Sequence, residues 1–233
     1  MGNELRAVKA GFEGRDADVS RTIAEERIVK SRLRVKAHGE VFTPRHMVDR
    51  MLDLVSDELE TRPDFVDKTF LEPAAGEGNF LVAILRRKLK AIETRCPAEE
   101  WPRESLFALA SIYGVELLED NHQDAKAIML AGFLGFHQAH GTDCGSKTAL
   151  HQAARFLIDV NIVRGNTLTG QTSEGQDIQF SWWHRIDGKP GMVQREPFTL
   201  ASLRANNGFD FTVYDNYKIC RIDNVHDEVR ADA

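Results

Sequence analysis

Cysteine is scarce in this chain of 233 residues. Cys96, Cys144 and Cys220 are odd in number and far apart, which argues against a disulfide framework and for reduced thiols. Long apolar runs are missing as well. No stretch approaches the length needed to span a bilayer, and 1–9 lacks the basic start, apolar middle and small-residue cleavage site of a secretory signal, so a soluble, cytoplasmic protein with no membrane contact is expected. Basic residues are not in excess either: the formal charge of −6 excludes nucleic-acid binding through bulk positive charge, and any such contact must be local. There is no internal repeat and no low-complexity segment.

The best local candidate is 21–36, where Arg21, Arg27, Lys30, Arg32, Arg34 and Lys36 face only Glu25 and Glu26. Such a run is either a solvated helix face or a nucleic-acid contact. The length suits one α/β-sized domain with appendages, here an N-terminal helical segment over 1–37 and a main domain over 38–233. Thr22 and Glu25 fit a capping box for a helix over 23–36. Thr43 and Pro44 suit the N-cap and first position of another, whose stripe Val48, Met51, Leu52, Val55 and Leu59 runs to Glu60 before Arg62-Pro63 ends it.

From there strand and helix alternate. Strands are expected at 68–71, 112–117 and 161–163, with helices following Phe80, over 101–110, 125–137 and 150–158, which argues a parallel sheet with helices on its faces. After Gly170 the texture changes. Two runs around 177–185 and 192–198 flank Asp187-Gly188-Lys189-Pro190-Gly191 as a hairpin insertion over about 176–198, a fourth strand is expected at 209–214, and the tail beyond Asp223 is expected to fray.

In an open parallel sheet, ligands sit outside the carboxyl ends of the strands. The first strand runs into Leu71-Glu72-Pro73-Ala74-Ala75-Gly76-Glu77-Gly78-Asn79-Phe80, where two glycines let the backbone turn tightly and approach a ligand. Gly-x-Gly alone also occurs in many surface loops. It is not the dinucleotide fingerprint, because the third glycine is missing. Glu116 closes the second strand, where a carboxylate either accepts from a ribose diol or is simply a surface acid, and Arg164-Gly165-Asn166-Thr167-Leu168 ends the third strand at the same rim.

Taken in order with Gly39-Glu40-Val41-Phe42-Thr43-Pro44, these segments resemble the S-adenosylmethionine motifs of the adenine-N6 DNA methyltransferases of restriction–modification systems, in the subgroup with type I and type IIG modification subunits. The resemblance spans about 39–168 and implies a doubly wound, Rossmann-like class I methyltransferase core, truncated in the C-terminal half of the sheet. It further implies that Phe42 and Thr43 contact the methionine end of S-adenosylmethionine and that Glu72, Pro73, Ala74, Gly76 and Gly78 line its path. Glu116, with Leu117 beside it, would take the ribose. Asn166 would accept from the adenine amino group in place of the family's usual Asp.

The pattern departs from the family at the acceptor loop. Adenine N6 is a poor nucleophile because its lone pair is delocalised, and the family polarises it with an Asn/Asp-Pro-Pro-Tyr/Phe loop after the fourth strand. This chain has no Pro-Pro pair, and Asp215, Asn216 and Tyr217 stand in that place, as substitutes or as an ordinary strand end. Only sixteen residues follow Tyr217, too few for the three further strands and target-recognition domain of relatives, so a protein partner or a second copy is expected to complete the DNA-binding assembly. Three outcomes stay open: adenine-specific DNA methylation, a catalytically inactive donor-binding or partner-binding subunit, and methylation of another acceptor. On the hairpin, one of Trp182 and Trp183 is expected in the core and the other at an interface. His137, His140, Cys144 and His151 match no standard zinc spacing, and no metal is expected.

Overall fold

A computed structural model describes residues 28–204 and 217–230, divided between a first unit, Met1–Pro44, and a second, Arg45–Ala233. In the first unit, helix α1 (Arg32–His38) starts where the Ser31 hydroxyl accepts from the Arg34 N–H at 3.2 Å. It stops at Gly39, whose φ of 67° turns the chain away. The helix expected over 23–36 is corrected at its start: 28–31 are not helical, because Ser31 is extended and caps the helix that begins at Arg32, while 23–27 lie outside the described residues. Glu40 grips Arg34, with Nη2 donating to Oε1 at 2.7 Å, so one cation of the basic run is neutralised internally. Phe42 is buried in this unit and its N–H donates to the Ile28 carbonyl at 2.8 Å.

The second unit opens with α2 (Arg45–Asp53), shorter than expected: the chain leaves the α-helix after Asp53 and adds one wide turn, Asp57–Thr61, before Arg62. Val48, Leu52 and Leu59 stay buried across the break, whereas Met51, expected on the same stripe, faces out. Then come β1 (Phe70–Glu72), α3 (Asn79–Arg95), a short 3-10 turn, α4 (Trp101–Ala110), β2 (Ile112–Glu116), α5 (Glu119–Ala139), α6 (Ala149–Asn161) and β3 (Ile162–Arg164). The three strands form a parallel sheet in the order β1-β2-β3, and all five residues of β2 are buried beneath α3, α4, α5 and α6. Burial on both faces is why β2 reads as an apolar run without alternation.

A second, antiparallel sheet follows, made of β4 (Gln179–Arg185), β5 (Met192–Thr199) and β6 (Cys220–Arg221), with helix α7 (Leu200–Arg204) after β5. The hairpin is therefore part of a separate sheet. Its Ile178, Phe180, Phe198 and Leu200 pack on Tyr113 and Val115, the alternate residues of β2 that face this way. Both tryptophans have partners: Trp182 stacks on Phe198 at 4.6 Å, and the Trp183 indole donates to Asn161 at 3.1 Å, so neither is simply an interface residue. The expected frayed tail is also corrected. A 3-10 turn, Ile222–Asp227, buries Ile222 and Val225 against α6, because the apolar pair three residues apart falls on one face of that turn. The strand expected at 209–214 lies outside the described residues, as do Asp215 and Asn216. Among the described residues no helix is long and apolar enough to cross a membrane.

Candidate functional site

The register sets the shape of the rim. Glu72, the last residue of β1, is level with Gly114, while Glu116 at the end of β2 is level with Arg164 of β3. Strand β1 thus stops two residues short, and the loop that follows it folds toward the longer β2. The Ala75 N–H continues the ladder by donating to the Val115 carbonyl at 2.9 Å. One residue on, the Gly76 N–H donates to Glu116 Oε2 at 2.7 Å.

Glu116 is the junction of all three strand ends. Its Oε1 accepts from the Leu118 N–H at 2.9 Å, and its own carbonyl accepts from the Gly165 N–H at 2.9 Å. The Thr167 hydroxyl then reaches back to donate to the Pro73 carbonyl. Glu72, Pro73, Ala74, Gly76, Glu116 and Asn166 are therefore neighbours through a closed chain of hydrogen bonds, a convergence the sequence pointed to by order alone. A carboxylate has about four acceptor positions. Two on Glu116 are taken by backbone N–H groups, the Asn121 amide approaches Oε1 at 3.5 Å, and the side chain is buried.

Two exposed apolar residues border the rim. Leu117 is 46% exposed and Leu168 89% exposed, each one or two residues beyond a polar rim residue. Leu117 was expected here, but Leu168 was not singled out; its signal was an apolar residue in an otherwise polar loop. Glu72 accepts from the Ala74 N–H at 3.0 Å, and burial pushes its carboxyl above the usual carboxylate range against that hydrogen bond.

Two residues serve other demands than the ones expected. Gly78, with φ of 91°, begins α3, and a Cβ there would lie 2.9 Å from Ala125 Cα and 3.1 Å from Ile128. The space beside it is filled by α5, so this glycine allows two helices to approach rather than a ligand. The Asn166 side-chain oxygen accepts from the Leu168 N–H at 2.9 Å, closing a local Asx turn and engaging the atom expected to meet an adenine amino group.

Of the remaining expected residues, Phe42 and Thr43 belong to the first unit. The Tyr217 carbonyl accepts from Gln194 Nε2 at 3.4 Å, its ring lies 4.6 Å from the Arg195 guanidinium, and it bridges to Arg230, all in the second sheet and the tail. His137 bonds Ser105 at 2.9 Å, His140 bonds Glu93 at 3.0 Å and His151 bonds the Cys144 carbonyl at 3.0 Å, so these side chains point to separate partners. Among the described residues no group of three or more His, Cys, Asp or Glu is arranged to hold a metal ion.

Compared with known proteins, the chain matches no protein-family model, no curated protein and no solved structure.

Proposed function

We propose that the strand-end rim binds S-adenosylmethionine and that this chain is a methyltransferase-like protein built on a Rossmann-like class I core, acting in adenine-specific DNA modification. The observation that carries this reading is the role of Glu116, which joins the ends of β1, β2 and β3 through the Gly76, Leu118 and Gly165 N–H groups. A carboxylate placed at the ends of three parallel strands suits two vicinal hydroxyls. The exposed Leu117 and Leu168 suit the faces of a purine, and Glu72 at the end of β1 suits the cationic methionine end. Glu72, Glu116, Leu117 and Leu168 thus fit the group, whereas Gly78 and the Asn166 side-chain oxygen are engaged within the protein.

Bound there, S-adenosylmethionine supplies an electrophilic methyl. The chain's part is to orient it: Glu116 fixes the ribose, and the 73–78 turn presents its backbone. DNA as the acceptor, and a partner chain that reads the target, rest on the sequence resemblance. One observation favours the non-catalytic alternative. Tyr217 is engaged by Arg195 and Gln194 within the second sheet, an arrangement that serves packing rather than stacking on an extruded base.

Titration calorimetry with S-adenosylmethionine tests the rim. Saturable binding is expected, weakened at least tenfold in Leu168→Asp, whose exposed position tolerates the change; no binding, or binding indifferent to that substitution, removes the reading. Incubation with methyl-labelled donor and mixed DNA then separates enzyme from module.

A further inference from the structure

At the other end of β2 from the rim lies a cleft of about 360 Å³ between the two sheets, lined by Thr69, Ser111 and Tyr113 on one side and by the consecutive residues Trp182, Trp183, His184 and Arg185 on the other. Side chains alternate along a strand, so four consecutive residues line one cleft only if it runs along the strand's edge. Among the described residues strand β4 is such an edge, because its one ladder partner there is β5.

The hydrogen-bond phase of that edge can be read off. In an antiparallel pair, alternate residues turn their N–H and C=O toward the partner. Ile178 and Ile186 bond across to Leu200 and Met192, at 2.8 Å and 3.2 Å, so the even-numbered positions face β5. The odd ones face out. The Ser181 carbonyl confirms the phase by accepting from the Tyr113 hydroxyl at 2.8 Å across the cleft. The next outward residue is Trp183, whose N–H and C=O stand side by side on the wall.

We infer that this cleft is a binding site for a neutral planar nucleobase, held edge-on by the paired N–H and C=O of Trp183 and flanked by the surrounding aromatic rings. Four observations select that chemistry. An adjacent donor and acceptor complement the Watson–Crick edge of any base. The volume is at the low end of ligand pockets, about 300–1,000 Å³, which suits one ring system with its sugar. The charges on the lining cancel: Arg185 Nε donates to Asp67 at 2.7 Å, and His184 is tied to Glu196 at 2.6 Å, so neither an anion nor a cation is favoured. An added peptide strand is disfavoured because it needs several successive main-chain pairs, and Tyr113 blocks the edge at Ser181 while the strand ends at Arg185.

The base can come from a free nucleoside or from an unstacked position in single-stranded nucleic acid. Trp182 and Trp183 are two of the chain's three tryptophans, so intrinsic fluorescence reads the cleft directly. Titration with uridine and adenosine is expected to quench saturably. 3-Methyluridine, which lacks the edge donor, should bind at least tenfold more weakly than uridine, and Thr69→Tyr, at an exposed lining position, should weaken both nucleosides at least tenfold. Leu168→Asp at the rim should change neither. Oligothymidylate titrated in parallel assigns the source: binding sensitive to Thr69→Tyr that is much tighter than the nucleoside's makes it a strand. Absent saturation by nucleoside and oligonucleotide alike, equal binding of uridine and 3-methyluridine, or loss in Leu168→Asp but not Thr69→Tyr overturns the inference.

Discussion

Glu116 Oε2 accepts the Gly76 N–H at 2.7 Å across forty positions of sequence, while Oε1 of the same carboxylate holds the Leu118 N–H at 2.9 Å. Both oxygens act as acceptors, which only the ionised acid supplies symmetrically. In Glu116→Gln the amide nitrogen must face one of these two donors. One charge-assisted hydrogen bond is lost and a partly buried N–H is left without its acceptor, at a cost of about 1–3 kcal/mol. Urea unfolding should show that loss with the slope unchanged. Stability equal to the wild type would mean that Glu116 does not hold the loop.

Gly78 and Gly141 both hold a left-handed backbone and differ in what they tolerate. Gly78→Ala forces a side chain into a left-handed backbone and also drives its Cβ against α5, 2.9 Å from Ala125 Cα. Gly141, with φ of 71° and open space around it, carries only the first penalty. Gly141→Ala should therefore cost about 1–2 kcal/mol, the left-handed strain alone. Gly78→Ala should cost at least twice as much, measured in the same denaturant series. Equal costs would mean that the helix contact is soft.

Arg185 joins three parts of the second unit. Its guanidinium donates to Asp67 before β1 and to Glu104 of α4, 2.6 Å from Oε2, and lies 3.7 Å from the Phe107 ring. Burial alone would raise the Glu104 carboxyl, but the Arg185 hydrogen bond and charge outweigh it and hold the group below its usual range. Arg185→Ala leaves a buried carboxylate with only Arg103 beside it, 2.7 Å away. A loss of about 2–3 kcal/mol is expected, smaller than for a pair left wholly unpartnered. In calorimetric melts the deficit should shrink as pH falls toward the carboxylate range, since protonation removes the uncompensated charge; a pH-independent deficit would assign the effect to lost packing on Phe107.

The parallel sheet was legible because β2 lacks polar alternation up to its closing Glu116 and the helices around it carry regular stripes, both consequences of burial that composition cannot hide. The rim was legible as an order of motifs, since strand ends meet at one edge whenever the strands are parallel. What was hidden depends on partners distant in sequence. That Gly78 serves Ala125, or that the Asn166 oxygen closes its own turn, follows from contacts that no local pattern records. The fraying tail beyond Asp223 is overturned because a polar average conceals Val225, and the length of α2 differs because its apolar spacing continues unbroken through a change of helix type.

Lys88 is wholly enclosed, its Nζ donating to the Val66 carbonyl at 3.0 Å, the Lys68 carbonyl at 2.6 Å and the Ser111 hydroxyl at 2.6 Å. Burial lowers its pKa from 10.5 to about 7, against a smaller opposing pull from Asp67. Between those two values the unfolded chain holds a proton that the folded chain has released, so folding releases protons and stability rises with pH across that window. The slope from one such group is at most about 1.4 kcal/mol per pH unit. Lys88→Met removes the titrating group while keeping a long, unbranched side chain in the space. Unfolding free energies measured from pH 7 to 10 should climb in the wild type and climb less in Lys88→Met, the difference between the two curves isolating this amine from other titrating groups. Parallel curves would show that the ammonium keeps its proton, its three acceptors compensating for the loss of water.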